Sequence, residues 1–230
     1  EMVTEGLDGL RERLVEYRGL GAKFAKWRAV INIDGDDIPT EYCLDVNAHA
    51  LARYAALCQE EGIVPIVEPE VMMEGNHTIE RCYQVTCDTL QKTFAQLYEQ
   101  RVEFEGMLLK PNMVLPGKDA GKASPDDVAD ATIRSFKTAV PAAVPGIVFL
   151  SGGQGDEEAT ANLNAMNRRG PLPWQLSFSY GRALQAPALK AWKGDKANVD
   201  AGQRAFLHRA RLNGAARSGS YSPDMERGAA

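Results

Sequence analysis

A short apolar run followed by a longer amphipathic stretch recurs five times along the chain, and this alternation constrains the fold more than any other feature. The apolar runs cover residues 24–33, 63–71, 106–114, 146–150 and 174–180. The stretches between them predict helices over about 41–61, 78–102, 124–138, from 156 onward and 182–192, with a last helix over about 199–216. Ser124-Pro125-Asp126-Asp127 is a good helix start: a capping hydroxyl, a proline for the first turn, and acids near the positive end of the helix dipole. Strands alternating with helices predict a parallel sheet. The segments share a pattern but no repeated sequence, and no Pro/Gly/Ser-rich linker divides them. Residues 1–230 therefore read as one domain, with a C-terminal helix and short tail from about 199.

A parallel β/α chain either winds into an open sheet or closes into a barrel. The charged residues separate the two, because a charge on a buried strand is costly unless paired. Here charged or polar groups fall toward the C-terminal end of strand after strand. They are Lys26 and Arg28, Glu68 and Glu70, Lys110 and Asn112, Ser151 with its glycines, and Gly181-Arg182. The i, i+2 spacing of the first two pairs turns both side chains of each pair the same way. In a barrel that way is the lumen, and the C-terminal mouth is where barrel enzymes carry their chemistry. An open sheet concentrates function at one crevice and needs no such group on every strand. The expectation is an α/β fold of the (β/α)8 TIM-barrel kind.

Hydrophobic residues make up 44% of the 230 and charged residues 25%, which is enough apolar material for a sizeable core. The net charge of -5 argues against a nucleic-acid or anionic-membrane partner, since either needs a basic face. Cys43, Cys58, Cys82 and Cys87 form no C-x-x-C pair, so free buried thiols in a reducing compartment are expected. His49, His77 and His208 are far apart, which gives a zinc site little support. No apolar run has the length of a membrane span, and the first residues lack a signal-peptide pattern.

The strand-end residues form a set of reactive groups. Lys110 is delivered by an apolar strand and followed by Pro111. A lysine amine in a dry, charged site can attack a carbonyl and form a Schiff base. Glu68 and Glu70 frame Pro69, and paired carboxylates can divide protonation states between them for acid/base work. Ser151-Gly152-Gly153-Gln154 precedes a helix start, where backbone N–H groups can converge on an anion. Arg182, opening the next loop, can add a guanidinium fork. The plainer readings are a salt-bridged strand-end lysine, a neutralising carboxylate pair, and a glycine turn beside a surface arginine. Spacing alone leaves both sets open. Taken together, the groups fit cleavage or formation of a carbon–carbon bond in a sugar phosphate.

Six segments also resemble one family in order along the chain. They are Gly6-Leu7-Asp8-Gly9-Leu10, Phe24-Ala25-Lys26-Trp27-Arg28, Val64-Pro65-Ile66-Val67-Glu68-Pro69-Glu70, Leu108-Leu109-Lys110-Pro111-Asn112-Met113, Phe149-Leu150-Ser151-Gly152-Gly153-Gln154 and Phe178-Ser179-Tyr180-Gly181-Arg182-Ala183-Leu184. All are similar to class I fructose-bisphosphate aldolases. The resemblance implies that Lys110 forms the imine with dihydroxyacetone phosphate or fructose 1,6-bisphosphate, and that Glu68 transfers protons with Glu70 beside it. It implies that Lys26 positions substrate and the acid/base group, and that Arg28 lines the phosphate side of the pocket. Ser151, Gly152, Gly181 and Arg182 match binders of the other phosphate, and Gly153 belongs to the same loop. The resemblance further implies no metal or other cofactor beyond the covalent imine, a cytoplasmic glycolytic role, and a homo-oligomer, commonly a tetramer.

Two departures shape the remaining expectations. Family members run longer at the N-terminus, where the first barrel strands supply an aspartate for the substrate hydroxyl proton and a further lysine. The chain is accordingly expected to be a C-terminal portion, an incomplete barrel of about strands 4–8 out of eight, with exposed edges and apolar faces. Many members also end in a tyrosine that assists catalysis, but Tyr221 is not terminal and that role is not carried to it. The alternative function is a catalytically incomplete fragment serving as a phosphosugar-binding or oligomerisation module. Another Schiff-base barrel, such as a transaldolase or a deoxyribose-phosphate aldolase, is the enzymatic rival. Lys26, Arg28 and Arg182 supply cations for two phosphates and favour the bisphosphate.

Overall fold

Each apolar run becomes a strand of one parallel sheet in the computed structural model, which describes residues 1–228. The strands β1 (Phe24–Ile31), β2 (Val64–Val71), β3 (Leu108–Leu109), β4 (Gly146–Phe149) and β5 (Gln175–Phe178) lie side by side in chain order. The helices are α1 (Leu10–Gly19), α2 (Glu41–Glu60), α3 (Ile79–Glu99), α4 (Pro125–Ala139), α5 (Asp156–Asn167), α6 (Arg182–Trp192) and α7 (Val199–Arg217). Among the described residues, helices α2 to α6 each follow one strand, the β/α order of a barrel.

The helix starts carry their own reasons. Thr40 and Thr78 accept the N–H of Cys43 and Arg81 through their hydroxyls, capping α2 and α3. Ser124 and Asp127 form a full capping box at α4, with Pro125 in the first turn, as the sequence indicates. Helix α1 is not legible in the sequence, because only Leu10 and Leu14 of its ten residues are buried and the apolar stripe is too thin to register.

The third strand is shorter than its apolar run. Leu108 and Leu109 pair with β2, Leu109 alone also pairs with β4, and Lys110 N–H adds one more bond to Val67 O at 2.8 Å. Pro111 has no N–H to donate, so the ladder stops there while residues 111–115 stay buried.

The expectation of an incomplete barrel holding only about strands 4–8 is corrected. The chain forms a TIM-barrel-like α/β fold, a parallel sheet with flanking helices, along the whole described length. A strand count measured against an ideal of eight says little about what this chain builds. Its strands pair continuously from β1 to β5, and one contiguous core joins them to the helices. Within that core Phe136 of α4 stacks on Phe149 of β4, centroids 5.7 Å apart, and meets Trp174 edge-on at 6.2 Å. The four cysteines are free and buried, and burial pushes the thiols of Cys58 and Cys82 up to about 11.

Two further contacts position the site. The β2–α3 and β3–α4 loops are latched by backbone bonds from Gly117 N to His77 O (2.8 Å), Lys118 N to Met73 O (2.8 Å) and Asp119 N to Gly75 O (3.0 Å). A Cβ on Gly117 would lie 2.2 Å from the Gly75 carbonyl oxygen, so only glycine allows this approach. At the far end, Arg209 is 3% exposed and grips Glu226 with two bonds of 2.8 Å while donating to Thr160 Oγ1. Tyr221 donates its hydroxyl to the same carboxylate and its N–H to Asn164 Oδ1, which makes it a buried brace for the 3-10 turn Pro223–Gly228.

Candidate active site

The register of the sheet decides which charged groups meet. Arg28 lies level with Glu68 and Val30 with Glu70, while Val67 lies level with Leu109. One step further along, Glu68 stands beside Lys110. Residues at the same level of a sheet point to the same face, so Lys26, Arg28, Glu68, Glu70 and Lys110 share one side of it. Along β1 the other face carries Trp27, Ala29 and Ile31, all buried against the helices.

Glu68 is at the centre of the cluster. It is 3% exposed, and its two oxygens face different ammonium groups: Oε2 lies 2.5 Å from Lys26 Nζ, and Oε1 lies 3.2 Å from Lys110 Nζ. Lys110 is itself 9% exposed, whereas the side chain of Lys26 is 39% exposed and reaches water. A buried carboxylate with two cationic partners satisfies the requirement that buried charge be paired. It also places a proton carrier within hydrogen-bond reach of a nucleophilic nitrogen.

Glu70, two residues on, repeats the arrangement one level up. Its Oε2 accepts from Arg28 Nε, and this partner holds the guanidinium still more firmly protonated against the effect of burial. Its Oε1 presses on Gly152, where a Cβ would sit 2.8 Å away. Gly153 follows with φ +81, and a Cβ there would meet Met73 Cβ at 2.6 Å. Gly153 is therefore a steric requirement, whereas at Gly152 the end of the Glu70 side chain would have to yield. Ser151, buried beside them, ends the β4 segment and accepts the N–H of Gln154 at its carbonyl, a turn that leads into α5.

Arg182 is the first residue of α6 and exposed, with Gly181 as the cap before it. Its charge reaches Glu74 on the β2–α3 loop. Glu74 is held below the usual carboxylate range chiefly by its hydrogen bond to Lys118, 2.6 Å away, and more weakly by Arg182. The structure thus brings Lys26, Glu68 and Lys110 together, sets Arg28 and Glu70 beside Gly152, and places Gly181 and Arg182 on the neighbouring loop. Asn112 is not a site group: its amide oxygen accepts Val71 N–H, and its nitrogen donates to Thr86 Oγ1 and Met113 O. Sequence reasoning missed Lys118 and Glu74. They lie 44 residues apart on loops whose docking rests on the Gly75–Gly117 contact, and no local pattern reports it. Among the described residues no group of three His, Cys, Asp or Glu side chains gathers as a metal site.

Comparison with known proteins adds to this geometry. A family model described as fructose-bisphosphate aldolase class-I matches residues 1–230. A probable fructose-bisphosphate aldolase class 1 from Xylella fastidiosa is 60% identical over 96% of this chain. A cytosolic fructose-bisphosphate aldolase from Arabidopsis thaliana is 53% identical over 99% of it. A co-crystal structure of the Plasmodium falciparum aldolase, solved in complex with TRAP and a small-molecule inhibitor, superposes with a TM-score of 0.94 at 50% identity, over 96% of this chain and 64% of that one. The chain spans about two thirds of the length of the curated relatives it matches, 66% of the Xylella protein and 58% of the Arabidopsis protein. The expected match to a C-terminal portion is corrected to a match that takes in residues 1–230 as a whole.

Proposed function

The chain belongs to the class I fructose-bisphosphate aldolase family, and we propose that it performs the Schiff-base reaction of that family. The reaction is the reversible cleavage of fructose 1,6-bisphosphate to dihydroxyacetone phosphate and glyceraldehyde 3-phosphate through an imine on Lys110. The observation that carries this reading is the Glu68 carboxylate, held 3.2 Å from Lys110 Nζ and 2.5 Å from Lys26 Nζ in a nearly dry site.

The steps follow from that placement. A proton passes from the Lys110 ammonium to Glu68, and the freed amine attacks the C2 carbonyl. Glu68 returns the proton to the departing C2 hydroxyl, which leaves as water and gives the iminium. The iminium draws in the electrons of the C3–C4 bond as Glu68, a carboxylate again, takes the proton of the C4 hydroxyl, the proton it later returns to the enamine carbon. The aldehyde departs and an enamine remains, which is reprotonated and hydrolysed. Lys26 keeps the Glu68 carboxylate in position throughout.

Arg28 and Lys26 serve the phosphate on their side of the cluster. Ser151, Gly152, Gly153, Gly181 and Arg182 serve the other, in the place where barrel folds recurrently bind phosphate. Glu70 keeps Arg28 aimed and rests on Gly152. The cytosolic relatives and the net charge of -5 support a cytoplasmic setting with a sugar phosphate as partner, rather than nucleic acid or membrane. A homo-oligomer, tetrameric by the same resemblance, completes the proposal, and sedimentation equilibrium reads it directly.

Borohydride reduction in the presence of dihydroxyacetone phosphate, followed by peptide mass spectrometry, tests the assignment. A reduced adduct on Lys110 is expected. An adduct on another lysine, or none in folded protein, would overturn it.

A further inference from the structure

We propose that Lys118 is a phosphate-binding residue of this site, held by Glu74 while the site is empty and transferred to the phosphate when it arrives. The inference rests on the aldolase reading above for the identity of the phosphate ester, and on local geometry alone for the anion.

The groups involved come from four loops that follow the strands' C-terminal ends. Lys118 comes from the β3–α4 loop, Glu74 from β2–α3, Gly152 and Gly153 from β4–α5, and Arg182 from β5–α6. The backbone of Lys118 is fixed there by its N–H bond to Met73 O at 2.8 Å and by the flanking bonds of Gly117 and Asp119. Gly153 packs on Met73, and Lys118 Cε lies 3.8 Å from the position a Gly153 Cβ would take. The lysine stem therefore runs alongside the glycine loop that carries the free N–H groups. Its ammonium is 2.6 Å from Glu74 Oε1, and Arg182 approaches the same carboxylate closely enough to act on its charge.

Lys118 is thus paired with a carboxylate beside a glycine loop, and the charge of Arg182 acts weakly on the same carboxylate. A phosphate dianion seated between that loop and Arg182 offers Lys118 a stronger partner than Glu74 does. The exchange meets little resistance, because Lys118 and Glu74 are 45% and 58% exposed at the side chain and such pairs are weakly held. Glu74 then opposes the ligand by like-charge repulsion. The proposal therefore assigns opposite effects to the two members of a single ion pair. A pair that only ties two loops together would make either loss act in the same direction.

The test is calorimetric titration of inorganic phosphate into the wild type and into Lys118→Ala, Lys118→Arg and Glu74→Gln, with thermal melting of each variant to confirm folding. Expected results are a loss of affinity of about tenfold for Lys118→Ala, near wild-type affinity for Lys118→Arg, and tighter binding for Glu74→Gln. The proposal is overturned if Lys118→Ala binds as the wild type does, if Lys118→Ala and Glu74→Gln shift affinity the same way, or if the wild type binds no phosphate. Because inorganic phosphate has no carbonyl, this result is independent of the lysine chemistry. The expected phosphate pattern without a borohydride adduct on Lys110 would sink the aldolase reading and leave this proposal standing.

Discussion

Replacing Gly117 with alanine tests whether the mouth of the sheet depends on one close backbone approach. The added Cβ would lie 2.2 Å from the Gly75 carbonyl oxygen and 2.7 Å from its carbon, where ordinary contact begins at 3.4 Å. The β2–α3 and β3–α4 loops must part by roughly 1 Å, which stretches bonds of 2.8, 2.8 and 3.0 Å beyond useful length. Three backbone hydrogen bonds at about 1 kcal/mol net each come to about 3 kcal/mol. Alanine restricts the unfolded chain and returns about 0.4–1 kcal/mol, so the net loss is about 2–3 kcal/mol. For a chain of this size that lowers Tm by about 4–10 °C. Differential scanning calorimetry reads the shift, and amide exchange should quicken at residues 117–119. Gly214→Ala, in α7 with nothing within 4 Å of the new methyl, is the control and should stabilise by about 0.5–1 kcal/mol. A Gly117→Ala protein within about 0.5 kcal/mol of wild type would refute the reasoning, because the loops would then be free to separate without loss.

Three other outcomes follow from the structure. Both ring nitrogens of His77 are buried without a partner, and burial, aided by the charge of Arg81, holds its pKa below the ordinary 6.5. The unfolded chain therefore takes up a proton first, so stability is full above pH 6.5 and falls as pH drops from there toward the folded value. Urea denaturation at pH 7.5 and 5.5 should show a loss that His77→Phe abolishes. Glu226→Gln strands the buried Arg209 and should cost about 2–3 kcal/mol by thermal melting, much of it recovered when Arg209→Met is added. Gly152→Ala should leave Tm nearly unchanged, since a flexible carboxylate can yield. It should raise the dihydroxyacetone phosphate concentration needed for half-maximal borohydride trapping about tenfold, by driving Glu70 off Arg28.

What the sequence discloses divides along physical lines. The i, i+2 pairs Lys26/Arg28 and Glu68/Glu70 are legible because a strand turns alternate residues to one face, and the sheet register then brings them together as pairs. The α4 start is legible because Ser124 and Asp127 act within one turn. The shortened β3 follows from Pro111, although an apolar run alone does not say where its ladder ends. Helix α1 escapes notice because its packing uses two side chains, and the Lys118–Glu74 pair because it depends on loop docking between distant segments. Tyr221 reads as a tail residue and proves to be a brace, since its partners Asn164 and Glu226 come from α5 and the C-terminal turn. The five strands are legible because each apolar run supplies one, and all five pair in chain order. The expectation of an incomplete barrel went further than those runs, because an apolar run reports a buried strand and not the architecture around it.

The carboxylate of Glu68, divided between two lysines, also limits the order in which this cluster can change over generations. Losing Lys26 first leaves Glu68 still matched by Lys110, and water can fill the vacated side because Lys26 already stands in contact with it. Losing Glu68 first leaves two positive charges facing each other, one of them nearly sealed from solvent, an intermediate that selection would remove. Neutral drift can therefore enter through position 26 while positions 68 and 110 change only together. Descendants that have abandoned the chemistry should show their earliest substitutions at the lysine nearest the water.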